Sequence, residues 1–192
     1  MKKIIVALYC LLSFCTYAQE KPADKPVKKW YVNHTEIGVM MGRNNPDGFN
    51  RANLTVQTFN GYRLCPQLAV GLTIGADWYT AMLVSPVAVG VRYELSKQKK
   101  ITPYLSLDSG YGTALLNKTT DNLSYKGGIM VNPAAGLKFR LSDETALVFN
   151  IGYKYQAASM VQDYGEIPAW GTRYAETKYN FNRFLVRVGV NF

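Results

Sequence analysis

From Thr35 to Phe192 the chain places large apolar side chains at every second position, in runs broken by polar turns. The last run is the clearest. Phe184, Val186, Val188, Val190 and Phe192 are apolar, while Arg183, Arg187, Gly189 and Asn191 stand between them, with Leu185 the one exception. A period of two over this length is a strand with two unlike faces. The same alternation sets Val70, Leu72, Ile74, Ala76 and Trp78 against Ala69, Gly71, Thr73, Gly75 and Asp77. It sets Val87, Val89, Val91, Tyr93 and Leu95 against Ala88, Gly90, Arg92 and Glu94, and Leu105, Leu107 and Tyr111 against Tyr104, Ser106, Asp108 and Gly110.

Four more runs complete the set: Thr35–Met41, Leu54–Leu64, a stretch from Gly128 to Leu141, and Leu147–Gln156. Two of them carry an anomaly. Asn60 falls on the apolar face of the second run, which predicts a bulge or a change of phase there. Pro133 falls in the middle of the sixth run, although proline cannot donate to a ladder. The connections include 43–50, rich in Asn, Pro, Asp and Gly, the polar stretch 112–126, and a longest loop over 157–178. Eight strands with short turns at one end and longer loops at the other predict an all-β fold, an eight-stranded antiparallel up-and-down barrel crossing a membrane.

The choice of solvent for each face rests on charge and glycine. The non-apolar face carries Glu36, Asp77, Glu94 and Asp108 against Arg63, Arg92, Lys138, Arg140, Lys154, Arg183 and Arg187, with glycines interspersed. A soluble barrel of the lipocalin type has no use for small residues on a water-facing wall. A narrow lumen needs them to make room for charged side chains that cross it. Aromatics also gather where the runs end, at Tyr62, Tyr93, Phe139 and Phe192 on one side and Trp78, Tyr111, Tyr153 and Tyr155 on the other, as in two interfacial girdles. The expectation is therefore an inverted barrel, apolar outward, whose eleven interior charges pair into a plug. A selectivity-lined pore is the alternative, and Glu36 with Arg187 is the pair expected to close the ring.

Composition adds the route. Lys2 and Lys3, the apolar run Ile4–Phe14 and the small residues Thr16 and Ala18 predict a signal peptide over 1–18. Residues 19–29 read as a flexible lead and 30–192 as the barrel. Loss of the first segment removes Cys10 and Cys15, so Cys65 stands alone and no disulfide framework is expected. The formal net charge of +9 points to no nucleic acid in an exported chain, since the excess lies within the strands. One histidine, His34, has no serine two residues away, and no cluster of ligand-spaced residues predicts a cofactor or metal. The loop aromatics Tyr164, Trp170 and Tyr174 are candidates for contact with another molecule.

The ending Arg187-Val188-Gly189-Val190-Asn191-Phe192, with Phe184 and Val186, resembles the C-terminal assembly signal of bacterial outer-membrane barrels. From residue 30 to 192 the pattern is similar to the small OmpA- and OmpX-like barrels, and to the "outer membrane protein beta-barrel" proteins of Bacteroidetes. That resemblance implies a Gram-negative outer membrane as location. It implies outer-membrane lipids, lipopolysaccharide and the barrel-assembly machinery as partners, and a non-enzymatic structural or loop-mediated binding role. A lipid-modifying enzyme, a narrow pore and a soluble lipocalin-like binder are the other readings the residues leave open.

Overall fold

The computed structural model describes residues 30–43, 50–96, 100–118, 122–142, 144–163 and 174–192. Its compact unit is Tyr31–Phe192. Nine strands occur among the described residues: β1 (Tyr31–Arg43), β2 (Asn50–Cys65), β3 (Leu68–Trp78), β4 (Leu83–Glu94), β5 (Ile101–Thr113), β6 (Leu123–Lys126), β7 (Gly128–Arg140), β8 (Ala146–Asp163) and β9 (Tyr174–Asn191). All neighbours are antiparallel, and β9 pairs with both β8 and β1, which closes the ring. β6 and β7 form one stave, both laid on β8 and separated at Gly127. The protein is thus a closed eight-stranded antiparallel barrel.

The staves are steeply tilted. A path across the registers from Asn33 runs through Asn60, Leu72, Val89, Ser109, Val131, Tyr155 and Asn182. It returns toward β1 two residues beyond the Met41–Phe184 pair, a stagger of ten residues. Closure of eight strands at such a stagger leaves an interior only wide enough for side chains.

The barrel is inverted, as the charges require. Ile37, Leu72, Val89, Leu107, Ile151 and Val188 are about half exposed on the outer wall, while Glu36, Asp77, Arg92, Asp108, Lys154 and Arg187 are buried inside. A lipocalin-like arrangement, with the apolar face turned inward, is excluded by this. Among the interior glycines, Gly38 has no room for a side chain: a Cβ there would run into the Arg187 side chain and the Val186 carbonyl. Gly38 is what allows Arg187 to cross the lumen beside it.

One of the two anomalies resolves differently from expectation. No bulge occurs at Asn60; β1 and β2 stay in register from Tyr31–Tyr62 to Arg43–Asn50. Asn60 faces outward among polar partners, accepting hydrogen bonds from Tyr31 Oη (2.5 Å) and Asn33 Nδ2 (2.8 Å). The irregularity of β2 lies instead between Arg63 and Cys65, at the turn. Pro133 does sit in mid-strand, where the β7–β8 pairing steps from Val131–Tyr155 to Ala134–Gly152. The ladder is interrupted where proline has no N–H to give.

The far ends are longer than the alternation predicts. Residues 123–126 form β6 inside the expected loop 112–126, and β8 and β9 take up most of the expected loop 157–178. Tyr174 is therefore the first residue of β9, not a loop residue; Tyr164 and Trp170 lie outside the described residues. One rim carries the tight connections, Cys65 to Leu68 and Arg140 to Ala146; the other carries 43–50, 113–123 and 163–174.

Candidate functional site: a filled interior and a cleft on the outer wall

The interior is stacked in three layers. At the short-turn end Val32, Phe59 and Ala69 pack together, and His34 lies edge-on to the rings of Phe59 (5.9 Å) and Tyr104 (5.8 Å). Beside this layer, at the rim, Glu94 Oε1 receives Lys138 Nζ at 2.9 Å and Arg63 Nη1 at 3.3 Å. All three are partly solvated. Arg140 is half-buried on the same stave as Lys138 and makes no ion pair among the described residues.

The middle layer holds three carboxylates, each fully enclosed. Glu36 accepts hydrogen bonds from Gln57 Nε2 (2.8 Å), Asn150 Nδ2 (2.6 Å) and Tyr104 Oη (3.3 Å), and Arg187 Nε stands 3.3 Å from its Oε2. Asp108 is gripped by both terminal nitrogens of Arg92 (2.8 and 3.3 Å), by Thr73 Oγ1 (2.6 Å) and by Asn132 Nδ2 (3.2 Å). Arg92 also lies 4.3 Å above the Phe59 ring, which ties this layer to the one below. Asp77 takes Lys154 Nζ at 2.5 Å and Thr55 Oγ1 at 2.7 Å. An ion in so dry a place is tolerated only when its lone pairs are occupied in this way.

The third layer, toward the long-loop rim, is built on an apolar cluster. Met40, Tyr79, Met82, Val84, Ala158, Tyr179, Phe181 and Leu185 form one cluster. Tyr79 stacks on Phe181 with centroids 3.9 Å apart, and Tyr179 continues the stack at 5.6 Å. Arg183 and Lys154 are cross-strand neighbours of like charge, and they part company. Lys154 reaches Asp77, while the Arg183 guanidinium lies 5.6 Å from the Phe181 ring and 5.8 Å from that of Tyr79.

The structure thus brings Glu36 to Arg187, Asp77 to Lys154, Asp108 to Arg92, and Glu94 to both Lys138 and Arg63. What the sequence reading missed are the apolar interior residues at both ends. The signal for them was present: the alternation continues past the charged middle but changes sign. Tyr179 and Phe181 point inward and Asn180 and Asn182 outward; Phe59 points inward and Thr58 and Asn60 outward. Of the ending that resembles an assembly signal, Phe184, Val186, Val188 and Phe192 are exposed on the outer wall and Val190 is partly covered. Cys65 is half-buried at the end of β2 and forms no disulfide among the described residues. Among the described residues no three His, Cys, Asp or Glu side chains come together as a metal site.

A concavity of about 500 Å3 lies on the outer wall, in the fork where β5 ends and β6 goes on. The β5–β7 ladder stops at Gly112–Gly128, and β6 follows β8 with its register moved by one residue at Gly127. That bulge reverses the faces, so Tyr125 packs toward the interior cluster and Lys126 looks outward. Tyr111, Ala114 and Leu115 form one side of the fork, and Lys126, Ser159 and Glu176 the other.

No family model and no curated protein matches the chain. Solved structures do. OprG from Pseudomonas aeruginosa superposes with a TM-score of 0.60 at 10% identity, over 84% of this chain and 93% of that one. The outer-membrane protein AlkL, determined in lipid bilayers, gives 0.54 at 14% identity, over 91% of this chain and 95% of AlkL. The N-terminal barrel domain of Pseudomonas aeruginosa OprF gives 0.51 at 15% identity, over 85% and 98%. The fold is that of the small outer-membrane barrels. At these identities the likeness concerns the backbone alone, and the side chains that fill this barrel have to be read from its own sequence.

Proposed function

We propose that this chain is an integral outer-membrane barrel with a closed lumen and no enzymatic activity, acting by binding at its long-loop rim. The three-layer filling of the interior is the observation that carries the reading. A pore would need a continuous polar path, and the apolar stack of Tyr79, Phe181 and Tyr179 lies across it. The outer wall, apolar between its two aromatic girdles, suits lipid as its solvent. The segment 1–18 serves as export signal, lipids and lipopolysaccharide surround the wall, and the barrel-assembly machinery inserts it. The rim with the longer connections then faces out of the cell. His34, the only histidine of the chain, is enclosed between Phe59 and Tyr104 and does not reach the lipid face, which argues against hydrolysis of lipid.

The test is electrical. Purified, refolded protein in planar bilayers is expected to give no discrete current steps in molar salt at any applied voltage the bilayer withstands. Reproducible unitary steps would sink the closed-barrel reading in favour of a narrow pore. The lipid A and phospholipid profile of a deletion strain is expected to match that of the parent.

A further inference from the structure

The fork between β5 and β6 is not absorbed by the closed-barrel reading, and its chemistry is specific. β6, β8 and β9 continue side by side beyond the membrane-facing part of the wall, and one row across them reads Lys126, Ser159, Lys178. Residues directly opposite one another in an antiparallel sheet share a face. This row faces outward, because Tyr125 on β6 and Tyr179 on β9 pack into the interior cluster. Both lysines are exposed, and neither ammonium has an ion-pair partner among the described residues. Ser159 between them is small and buried, so two cations stand on strands about 10 Å apart with a hydroxyl in between.

Height decides what they meet. The row lies two outward positions above the Tyr155–Asn182 pair, where Tyr155 Oη donates to Asn180 Oδ1 and Tyr153 Oη to Asn182 Oδ1. Those tyrosines mark the upper aromatic girdle, so the lysines are about 10 Å farther up the tilted strands, at the depth of lipid head groups. Below and beside them the cleft is apolar, with Tyr111 on the wall and Leu115 exposed on the turn after β5. Glu176, one row farther from the membrane, supplies an acceptor for hydroxyl groups.

We propose that this cleft binds the phosphorylated sugar head group of an outer-leaflet glycolipid, with the phosphate between Lys126 and Lys178 and an acyl chain along Tyr111 and Leu115. The proposal rests on the reading of the long-loop rim as the outward one. Two lysines that converge on one depth, a small residue between them and an adjoining apolar wall match the parts of such an amphiphile in order. Free phosphate would use the cations but not the wall.

The test is a titration of the refolded full chain in neutral micelles, followed by native mass spectrometry. Three probes are used: bis-phosphorylated lipid A, the same lipid with its phosphates removed, and inorganic phosphate. Wild type is expected to retain the phosphorylated lipid. The Lys126→Gln/Lys178→Gln variant is expected to bind it about thirtyfold more weakly, the effect of losing two basic charges at a membrane surface. Both positions are exposed, and a retained heat-sensitive shift on gels shows that the variant is folded. Equal affinity of variant and wild type overturns the site, as does equal binding of the dephosphorylated lipid. Inorganic phosphate bound as tightly as the lipid overturns the lipid as its source. None of these outcomes bears on bilayer conductance, so the site and the closed barrel fail separately.

Discussion

Replacing Arg187 by methionine should be among the most damaging conservative changes this barrel can suffer. The methionine keeps most of the side-chain volume beside Gly38 and removes only the charge. Glu36 is then left as a buried carboxylate with Gln57, Asn150 and Tyr104 as its donors. Asn150 loses the hydrogen bond that Arg187 Nε gives its Oδ1 at 3.0 Å. Breaking one half of a buried ion pair costs about 3–5 kcal/mol. The two short amide hydrogen bonds that remain on Glu36 place this case at about 3 kcal/mol, since bonds to a charged group are the stronger kind. Glu36→Gln should cost a similar amount by stranding the guanidinium. The double variant Glu36→Gln/Arg187→Met removes both charges and should fall short of the sum of the singles by about 2 kcal/mol or more, within the range for residues of one network. Urea unfolding in lipid vesicles, followed by tryptophan fluorescence and the gel-mobility shift, measures all three. A single variant within about 0.5 kcal/mol of wild type refutes the reasoning, as would strict additivity of the pair. Arg63→Met is the control. Arg63 is partly solvated, and Glu94 keeps Lys138, so the change should cost about 1 kcal/mol or less.

Phe181→Ala removes the middle ring of the three-ring stack and should cost about 3–5 kcal/mol in the same unfolding assay. It should still give no current in planar bilayers, because the ion-paired layer beneath is untouched; unitary steps in this variant would show that the apolar layer alone closes the lumen. Ile151→Lys, in the middle of the apolar wall, should destabilise by about 2–4 kcal/mol, whereas Asn180→Lys, above the girdle, should cost about 1 kcal/mol or less. Equal costs at the two positions would mean that the membrane boundary does not lie between them.

The parts of this fold that could be read from sequence are those where two solvents impose opposite demands. In β3, β4, β5 and the lower half of β9 one face meets lipid and the other a charged lumen, so apolar and polar residues alternate with one sign and the ion pairs fall on the polar side. Toward the rims the demands change. Above the girdle the outer face of β9 meets water and takes Lys178, Asn180 and Asn182, while Tyr179 and Phe181 fill the interior. Alternation with its sign reversed looks like a loop or a phase error when one sign is assumed. That is why β8 is expected from the sequence to end early and β9 to begin late, and why Asn60 is expected to mark a bulge. Pro133 was legible as an exception, but its accommodation was not, because that depends on which neighbouring ladder can spare a bond. Which carboxylate takes which cation was legible only for Glu36 and Arg187, on strands that must meet. The pairing of Asp77 with Lys154 depends on distances across the lumen that no local pattern records.

The company that Glu36 keeps has a kinetic side. Its partners come from β2 (Gln57), β5 (Tyr104), β8 (Asn150) and β9 (Arg187), so the chain contributes to this one carboxylate from positions 57 to 187. A nascent sheet of the first few strands can satisfy Gln57 and nothing else of the set. Contacts so distant along the chain form slowly, because the ends of a long segment must first be brought together. Glu36 therefore stays solvated through most of assembly, and its desolvation coincides with the meeting of β1 and β9. The carboxylate that looks like a static brace in the finished wall is, during folding, the group whose burial records that the ring has shut.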